Sequence, residues 1–144
     1  MLPDPIALAA IIIVLFPMAY FLLAAPAFLL VKLDIQEVAR LLRGMFSAYF
    51  LMMIIAGTIG AVAFALTGRL GSTIGIGLLA VFAVWARRWF IRRMDAELCA
   101  SDAGDVDAPR RLRRLHWGGM LCNAVQLVAI MASLPYININ LAPA

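Results

Sequence analysis

Charge is scarce in this sequence. Charged residues make up 14% of its 144 residues, whereas hydrophobic residues make up 65%. A soluble domain carries about 25% charged residues, so the composition excludes a water-soluble globular fold. The solvent for most of the side chains must be lipid, and the length suits a single domain over residues 1–144.

Residue types that carry most enzyme chemistry are also few. The chain has 1 histidine, His116, and 2 cysteines, Cys99 and Cys122, which fall in unlike contexts. A single histidine excludes haem held by two histidines of one chain, although one axial histidine leaves haem open. Because no GxSxG, HExxH, Walker or CxxC sequence is present, the sequence predicts no catalytic residue, no metal site and no defined cofactor.

Apolar runs, by contrast, are abundant. Four of them are close to the roughly 20 residues that a helix needs to cross the hydrocarbon layer. They predict an all-α bundle of four membrane helices. Pro17 and Pro26 predict a bend or tilt in the first helix, and Pro135 predicts the end of the fourth. The predicted membrane helices are 6–31, 45–66, 72–89 and 112–134.

Basic residues cluster around two of the three connections. All of the 12 lysines and arginines except Arg69 lie in these two connections or at the ends of the helices that flank them. The stretch 90–111 is predicted to be a charged cytoplasmic loop. Because basic loops are retained in the cytoplasm, the pattern predicts a multi-pass protein of the cytoplasmic (inner) membrane with both termini on the non-cytoplasmic side.

The basic clusters predict lipid, not nucleic acid, as a partner. Nucleic-acid binding needs a basic face on a folded module, and the membrane helices leave no such module. Anionic headgroups are the expected counterion, and a homo-oligomer or a larger membrane complex is compatible with the chain. The arginines expected to contact these lipids are Arg87, Arg88, Arg92, Arg93, Arg110, Arg111, Arg113 and Arg114.

Three polar side chains interrupt the fourth apolar run, namely His116, Asn123 and Gln126. His116 and Asn123 are seven residues apart and so share a helix face, with Gln126 displaced sideways. Polar groups are costly in hydrocarbon unless they are paired, so this stripe is predicted to face the bundle interior. Hydrogen bonding between helices is the favoured interpretation; a proton, ligand, metal or haem site is the alternative.

Specific partners can be expected for two of these side chains. Asn123 is expected to pair with Ser47, Tyr49 or a backbone carbonyl freed by Pro17. His116 is expected at the cytoplasmic mouth of the bundle among the neighbouring arginines, free to accept a hydrogen bond or to bind a ligand.

Small residues predict where helices touch. Gly57 and Gly60 lie among alanines in the second helix, and Gly71 with Gly75 forms a GxxxG at the start of the third. Small residues four apart let another backbone come close. All four glycines are therefore expected at helix packing contacts, and the Gly71–Gly75 pair is a candidate for contact within the chain or between chains.

Two segments carry a resemblance to a known family. LLRGMFSAYF (41–50) enters the second helix, and RRLHWGGMLCNAVQLVAI (113–130) contains Leu115 and His116 followed after six residues by Asn123. Together with Phe46 and Tyr49, they resemble the four-helix membrane family of unknown function that includes transmembrane protein 205 and its bacterial relatives. The resemblance implies a four-helix membrane fold and singles out His116 and Asn123.

These features favour a small non-enzymatic integral membrane protein that is structural or accessory, or that binds a small ligand. The alternative is a transporter or a haem- or redox-linked membrane enzyme that uses His116 and Asn123. The chain also has a distant similarity to the haem-dependent protoporphyrinogen oxidase of bacteria. The first-helix histidine that this activity requires is absent from the sequence, which disfavours the enzyme alternative.

Overall fold

The chain is helical almost throughout the part that the structure describes. A computed structural model describes the backbone of residues 5–139 and the side chains of residues 5–132. The helices are α1 Pro5–Ala24, α2 Ala27–Leu30, α3 Gln36–Leu66, α4 Leu70–Asp102 and α5 Ala108–Ile139. They provide four segments that are long and apolar enough to cross a membrane, the first of them comprising α1 and α2. The predicted all-α bundle of four membrane helices is confirmed.

Successive long helices pack side by side. α3 packs against α1 and α4, and α5 packs against α4 and α1. α3 and α5 therefore face each other across the diagonal of the bundle, where large side chains fill the gap. Phe46 is fully buried there, with ring centroids 5.1 Å from Phe21 and 5.7 Å from Phe90. Aromatic packing thus forms the centre of the core.

Two glycines of α3 allow close helix contacts. A Cβ added at Gly57 would lie 3.0 Å from the Cβ of Ala80 in α4. A Cβ added at Gly60 would lie 3.2 Å from Val14 of α1 and 3.3 Å from Ile76 of α4. In hydrocarbon, where helices gain little from burying apolar area, such close approach strengthens association through van der Waals contact.

The predicted loop at 90–111 is wrong, because most of this stretch is helical. α4 continues to Asp102 and α5 begins at Ala108, so only residues 103–107 connect them. α3 also begins at Gln36, ahead of the predicted membrane segment 45–66. The reason is pairing between the polar helix ends: Arg43 of α3 holds Asp95 of α4 through two hydrogen bonds of 2.5 Å and 3.0 Å.

Arg111 closes the short connection between α4 and α5. Its Nε donates to Glu97 at 2.7 Å and its Nη2 donates to Asp105 at 2.6 Å. The bond from the guanidinium lowers the pKa of Asp105 below its ordinary value. Four charged residues of the predicted loop are instead paired with groups of opposite charge, namely Asp95, Glu97, Asp105 and Arg111.

Proline interrupts the first span but does not end the last one. α1 continues through Pro17, whereas the chain breaks between Ala25 and Pro26 before the single turn of α2. Pro26 has no amide hydrogen, so the helical bond to the carbonyl four residues earlier is lost. The predicted end of the fourth helix at Pro135 is wrong, since α5 extends to Ile139. Membrane helices tolerate proline when the freed group finds another partner.

Phe46 and Gly119 provide a test of how tightly α5 is packed. The fully buried Phe46 ring lies against Gly119, and a methyl group there would overlap it. Gly119→Ala should therefore lower the free energy of unfolding by about 1–3 kcal/mol, the usual effect of overpacking. Thermal unfolding in mild detergent measures the change.

Gly118→Ala is the matched control. A Cβ at Gly118 meets no described atom within 4 Å, and both substitutions bring a similar gain in helix propensity. Phe46→Val in the Gly119→Ala protein should recover part of the lost stability by making room for the methyl group. Equal stability of the two alanine variants would contradict the packing of Phe46 on Gly119.

Candidate functional site

The candidate site is the buried polar centre formed by His116 and Asn123. Their side chains are 0% and 1% exposed, and they are the buried polar residues of the described core. Both lie on the face of α5 that points into the bundle, as their spacing of seven residues predicts. Each therefore needs partners inside the bundle, because neither water nor lipid headgroups reach it.

Asn123 joins α5 to two other helices at once. Its Oδ1 accepts a hydrogen bond of 2.8 Å from the hydroxyl of Tyr49 in α3. Its Nδ2 donates to the backbone carbonyl of Met18 in α1 at 3.2 Å. Tyr49 is one of the partners that the sequence predicts. Ser47 is not a partner, since its Oγ accepts a bond from Arg87 at 3.2 Å.

The third predicted alternative, a carbonyl freed by Pro17, is not a partner of Asn123 either. Pro17 would free the carbonyl of residue 13, whereas Asn123 donates to the carbonyl of Met18. A helical carbonyl oxygen has a second lone pair, so Met18 can accept from Asn123 without a proline. This choice also fixes the amide orientation, because a carbonyl only accepts and Nδ2 must face it.

Aromatic rings enclose the Tyr49 end of this connection. The Tyr49 ring centroid lies 4.3 Å from that of Phe21 and 5.1 Å from that of Phe50. Tyr49 is buried together with both rings. Its hydroxyl is held in one direction by this packing, which keeps it aimed at Asn123.

His116 bonds to the chain at the break in the first span. Its Nε2 lies 2.9 Å from the carbonyl oxygen of Ala25, the residue before Pro26. Since a carbonyl oxygen only accepts, Nε2 carries the hydrogen. Nδ1 is buried and has no hydrogen-bond partner among the described residues, which leaves a lone pair available for a donor or a ligand.

The surroundings of His116 are aromatic. The rings of Phe28 and Phe46 meet the imidazole edge-on, with centroids 6.2 Å and 5.8 Å away. Arg113, one turn earlier, donates to the carbonyls of Leu29 and Val31 at 2.8 Å and 3.1 Å. Arg113 and His116 thus hold both sides of the α1–α2 break, and His116 points into the core.

Gln126 does not join the polar centre. Its Nε2 donates to the sulfur of Cys122, 3.4 Å away and four residues earlier in the same helix. Its side chain is only partly buried. The sideways displacement that the helix geometry predicts for Gln126 accounts for this separation.

Gly71 and Gly75 contact no other helix within the described chain. A Cβ at either position meets no described atom within 4 Å, and the neighbouring Ile74 is 61% exposed. The start of α4 lies at the rim of the bundle and turns this face outward. The predicted packing contact within the chain is therefore not seen there, while a contact between chains stays a prediction.

Sequence reasoning did not identify which backbone carbonyls take part in the site. The acceptors of Met18 and Ala25 are main-chain atoms, which have no signature of their own, although Pro26 marks the break beside Ala25. In the described residues, no group of three or more histidine, cysteine, aspartate or glutamate side chains is arranged to hold a metal ion. The chemistry present at the centre is hydrogen bonding, and Nδ1 of His116 has no partner among the described residues.

Comparison with known proteins adds no functional assignment. No family model, no curated protein and no solved structure matches this chain. The similarity to the family of transmembrane protein 205 therefore stays a prediction, and interpretation of the site rests on its geometry.

Proposed function

We propose that this chain is a small non-enzymatic membrane protein, structural or accessory, in which the polar centre holds the helices together. The observation that supports the proposal is that the Asn123 amide forms hydrogen bonds to both α3, at 2.8 Å, and α1, at 3.2 Å. At 1% exposure, the rest of this side chain faces packed neighbours. A substrate would have to separate the helices to reach it.

The energetic role of the polar centre is to favour one arrangement of the helices. An amide in hydrocarbon costs several kcal/mol when it is unpaired, whereas a paired contact between membrane helices contributes only about 0.6 kcal/mol on average. The difference disfavours every rotation of α5 that turns Asn123 away from Tyr49. This is the function expected of a structural residue, because the penalty acts on misassembled states.

We also propose that the chain belongs to the four-helix family that includes transmembrane protein 205. The two segments that carry the resemblance meet in the core, where Tyr49 bonds to Asn123 and Phe46 contacts His116. Residues that match in separate segments thus form one contact. A structure of transmembrane protein 205 without the corresponding tyrosine–asparagine contact would contradict this assignment.

The proposed orientation is in the cytoplasmic (inner) membrane, with both termini on the non-cytoplasmic side. Support comes from the charge distribution, since all of the 12 lysines and arginines except Arg69 lie toward one end of the bundle. Retention of basic segments in the cytoplasm then fixes the direction. The helical extensions of α3, α4 and α5 would project into the cytoplasm.

One atom favours a second candidate, a transporter or a protein that binds a small ligand or haem. Nδ1 of His116 is buried and lacks a described partner, while Nε2 is held by the Ala25 carbonyl. A backbone carbonyl is one of the usual partners that orient a histidine whose other nitrogen binds a metal. A Soret band, or a bound quinone or porphyrin, in detergent-purified protein would support this candidate. A colourless preparation with co-purifying partner chains would support the first.

Asn123→Leu tests the structural role. It keeps apolar volume but removes both interhelical bonds and leaves the Tyr49 hydroxyl without its acceptor. We expect a loss of about 1–2 kcal/mol of unfolding free energy, near the upper end for such contacts. Unfolding by dodecyl sulfate in mixed micelles measures it.

Gln126→Leu is the control, because the described hydrogen bond of the Gln126 side chain lies within its own helix. The Gln126→Leu substitution should leave the free energy of unfolding nearly unchanged. If Asn123→Leu is as stable as this control and cellular activity is lost, Asn123 belongs to a working site and the structural role is wrong.

Cys99 tests the orientation. It is exposed near the end of α4, whereas Cys122 is only partly exposed and can be replaced by alanine. A membrane-impermeant maleimide should fail to label Cys99 in intact cells and should label it in inverted vesicles. Leu70→Cys, at the opposite end of α4, should give the reverse result in protein that lacks Cys99. Labelling of Cys99 from outside the cell would overturn the proposed topology.

A further inference from the structure

The charged end of the bundle has two tiers of basic side chains. In the outer tier, Arg43 pairs with Asp95, and Arg111 pairs with Glu97 and Asp105. Arg40 and Arg110 of the same tier also lie near carboxylates, at 3.9 Å and 3.5 Å. The inner tier is closer to the apolar part of α4 and consists of Arg87, Arg88, Arg92 and Arg93.

The inner tier has no carboxylate partner among the residues that the structure describes. Arg87 donates to Ser47, and its buried Nε has no described acceptor. The carboxylates nearest along α4, Asp95 and Glu97, are already held by arginines of α3 and α5. Positive charge therefore accumulates where α4 leaves its apolar stretch.

Two tryptophans lie on the same outward face of α4. Trp85 and Trp89 are 59% and 38% exposed, and their rings stack with centroids 6.5 Å apart at 20°. Residues three, four and seven apart share a helix face, which brings Arg88 and Arg92 beside these rings. Both arginines are exposed. Tryptophan prefers the headgroup level of a bilayer, so Arg88 and Arg92 lie at that depth.

We propose that the outward face of α4 over residues 85–92 binds an anionic phospholipid. Its phosphate lies between Arg88 and Arg92, and its glycerol and upper acyl chains lie along Trp85 and Trp89. Guanidinium groups are weakly hydrated and match the geometry of phosphate oxygens. Arg93 adds a further positive charge beside this site. Its guanidinium carbon lies 5.0 Å from the centroid of the Trp89 ring, in a cation–π contact.

Charge selects an anionic lipid over a zwitterionic one. Both classes carry a phosphate, but a zwitterionic headgroup neutralises its phosphate with its own cation. An anionic headgroup leaves the negative charge for the protein, which supplies arginines that have no carboxylate partner among the described residues. Two of the eight arginines predicted to bind lipid are therefore removed from that set. Arg111 is held by carboxylates, and Arg113 is held by backbone carbonyls.

This inference requires that the chain spans a bilayer, and it holds whether the polar centre is structural or binds a ligand. Trp117→Phe leaves Trp85 and Trp89 as the fluorescent reporters on α4. The protein is reconstituted into phosphatidylcholine nanodiscs that contain brominated phosphatidylglycerol or, at the same mole fraction, brominated phosphatidylcholine. Bromine quenches tryptophan at short range, so we expect stronger quenching by the brominated phosphatidylglycerol.

Single substitutions then locate the site. Arg88→Gln and Arg92→Gln should each lower the preference for phosphatidylglycerol roughly fivefold, the effect expected for one basic residue at an anionic surface. Arg110→Gln removes the same charge from the outer tier, where Arg110 pairs with Asp107, and should leave the preference unchanged. Equal quenching by the two brominated lipids without further substitution would overturn the proposal. So would an equal loss of preference in Arg110→Gln, because general charge would then explain the attraction.

Discussion

A buried amide in hydrocarbon must find partners within the protein, and the arrangement of this bundle depends on how Asn123 does so. Water would satisfy such a group in a soluble core, but lipid does not. Asn123 is satisfied when α5 presents it to Tyr49 of α3 and to Met18 of α1 together. His116 makes a second connection two turns away, to Ala25. Two fixed points on one helix determine its rotation and its depth.

Aromatic packing makes this polar arrangement consistent with the rest of the core. α3 and α5 face each other across the bundle diagonal, and Phe46 and Tyr49 extend from α3 to reach α5. Gly119 accommodates the Phe46 ring, while Tyr49 provides the hydroxyl for Asn123. Glycine, asparagine and histidine therefore occupy positions on one face of α5 that match two aromatic residues on α3. Apolar fit and hydrogen bonding specify the same register.

Much of the fold follows from the sequence because lipid imposes simple rules. Long apolar runs predict four membrane helices, and the spacing of His116 and Asn123 predicts their common inward face. The charged stretch 90–111 could not be assigned correctly from local composition. Its charged residues pair with distant ones, as Asp95 does with Arg43, 52 residues away, and local composition does not show such pairs. Proline alone likewise did not reveal that α5 continues beyond Pro135 while the first span breaks at Pro26.

In the candidate site, the contact between side chains was predictable from the sequence, whereas the contacts to backbone carbonyls were not. Tyr49 and Asn123 were expected to meet, but the carbonyls of Met18 and Ala25 belong to the backbone and depend on how α1 is placed. Gly71 and Gly75 show the opposite difficulty, because a small-residue pattern does not say whether a neighbour is present. The sequence of a membrane protein thus indicates which residues need a hydrogen-bond or packing partner more readily than it indicates which partner they find.

The imidazole of His116 offers the most direct measurement of whether the polar residues of α5 are used to hold the helices together. The chain has 1 histidine, so protein labelled with ¹⁵N-histidine and purified with a histidine-free tag gives a single imidazole in its NMR spectrum. A protonated, hydrogen-bonded Nε2 and an unprotonated Nδ1 are predicted from the bond to Ala25. A protonated Nδ1 with a bare Nε2, or a nitrogen shifted by a bound metal or haem, would contradict this account.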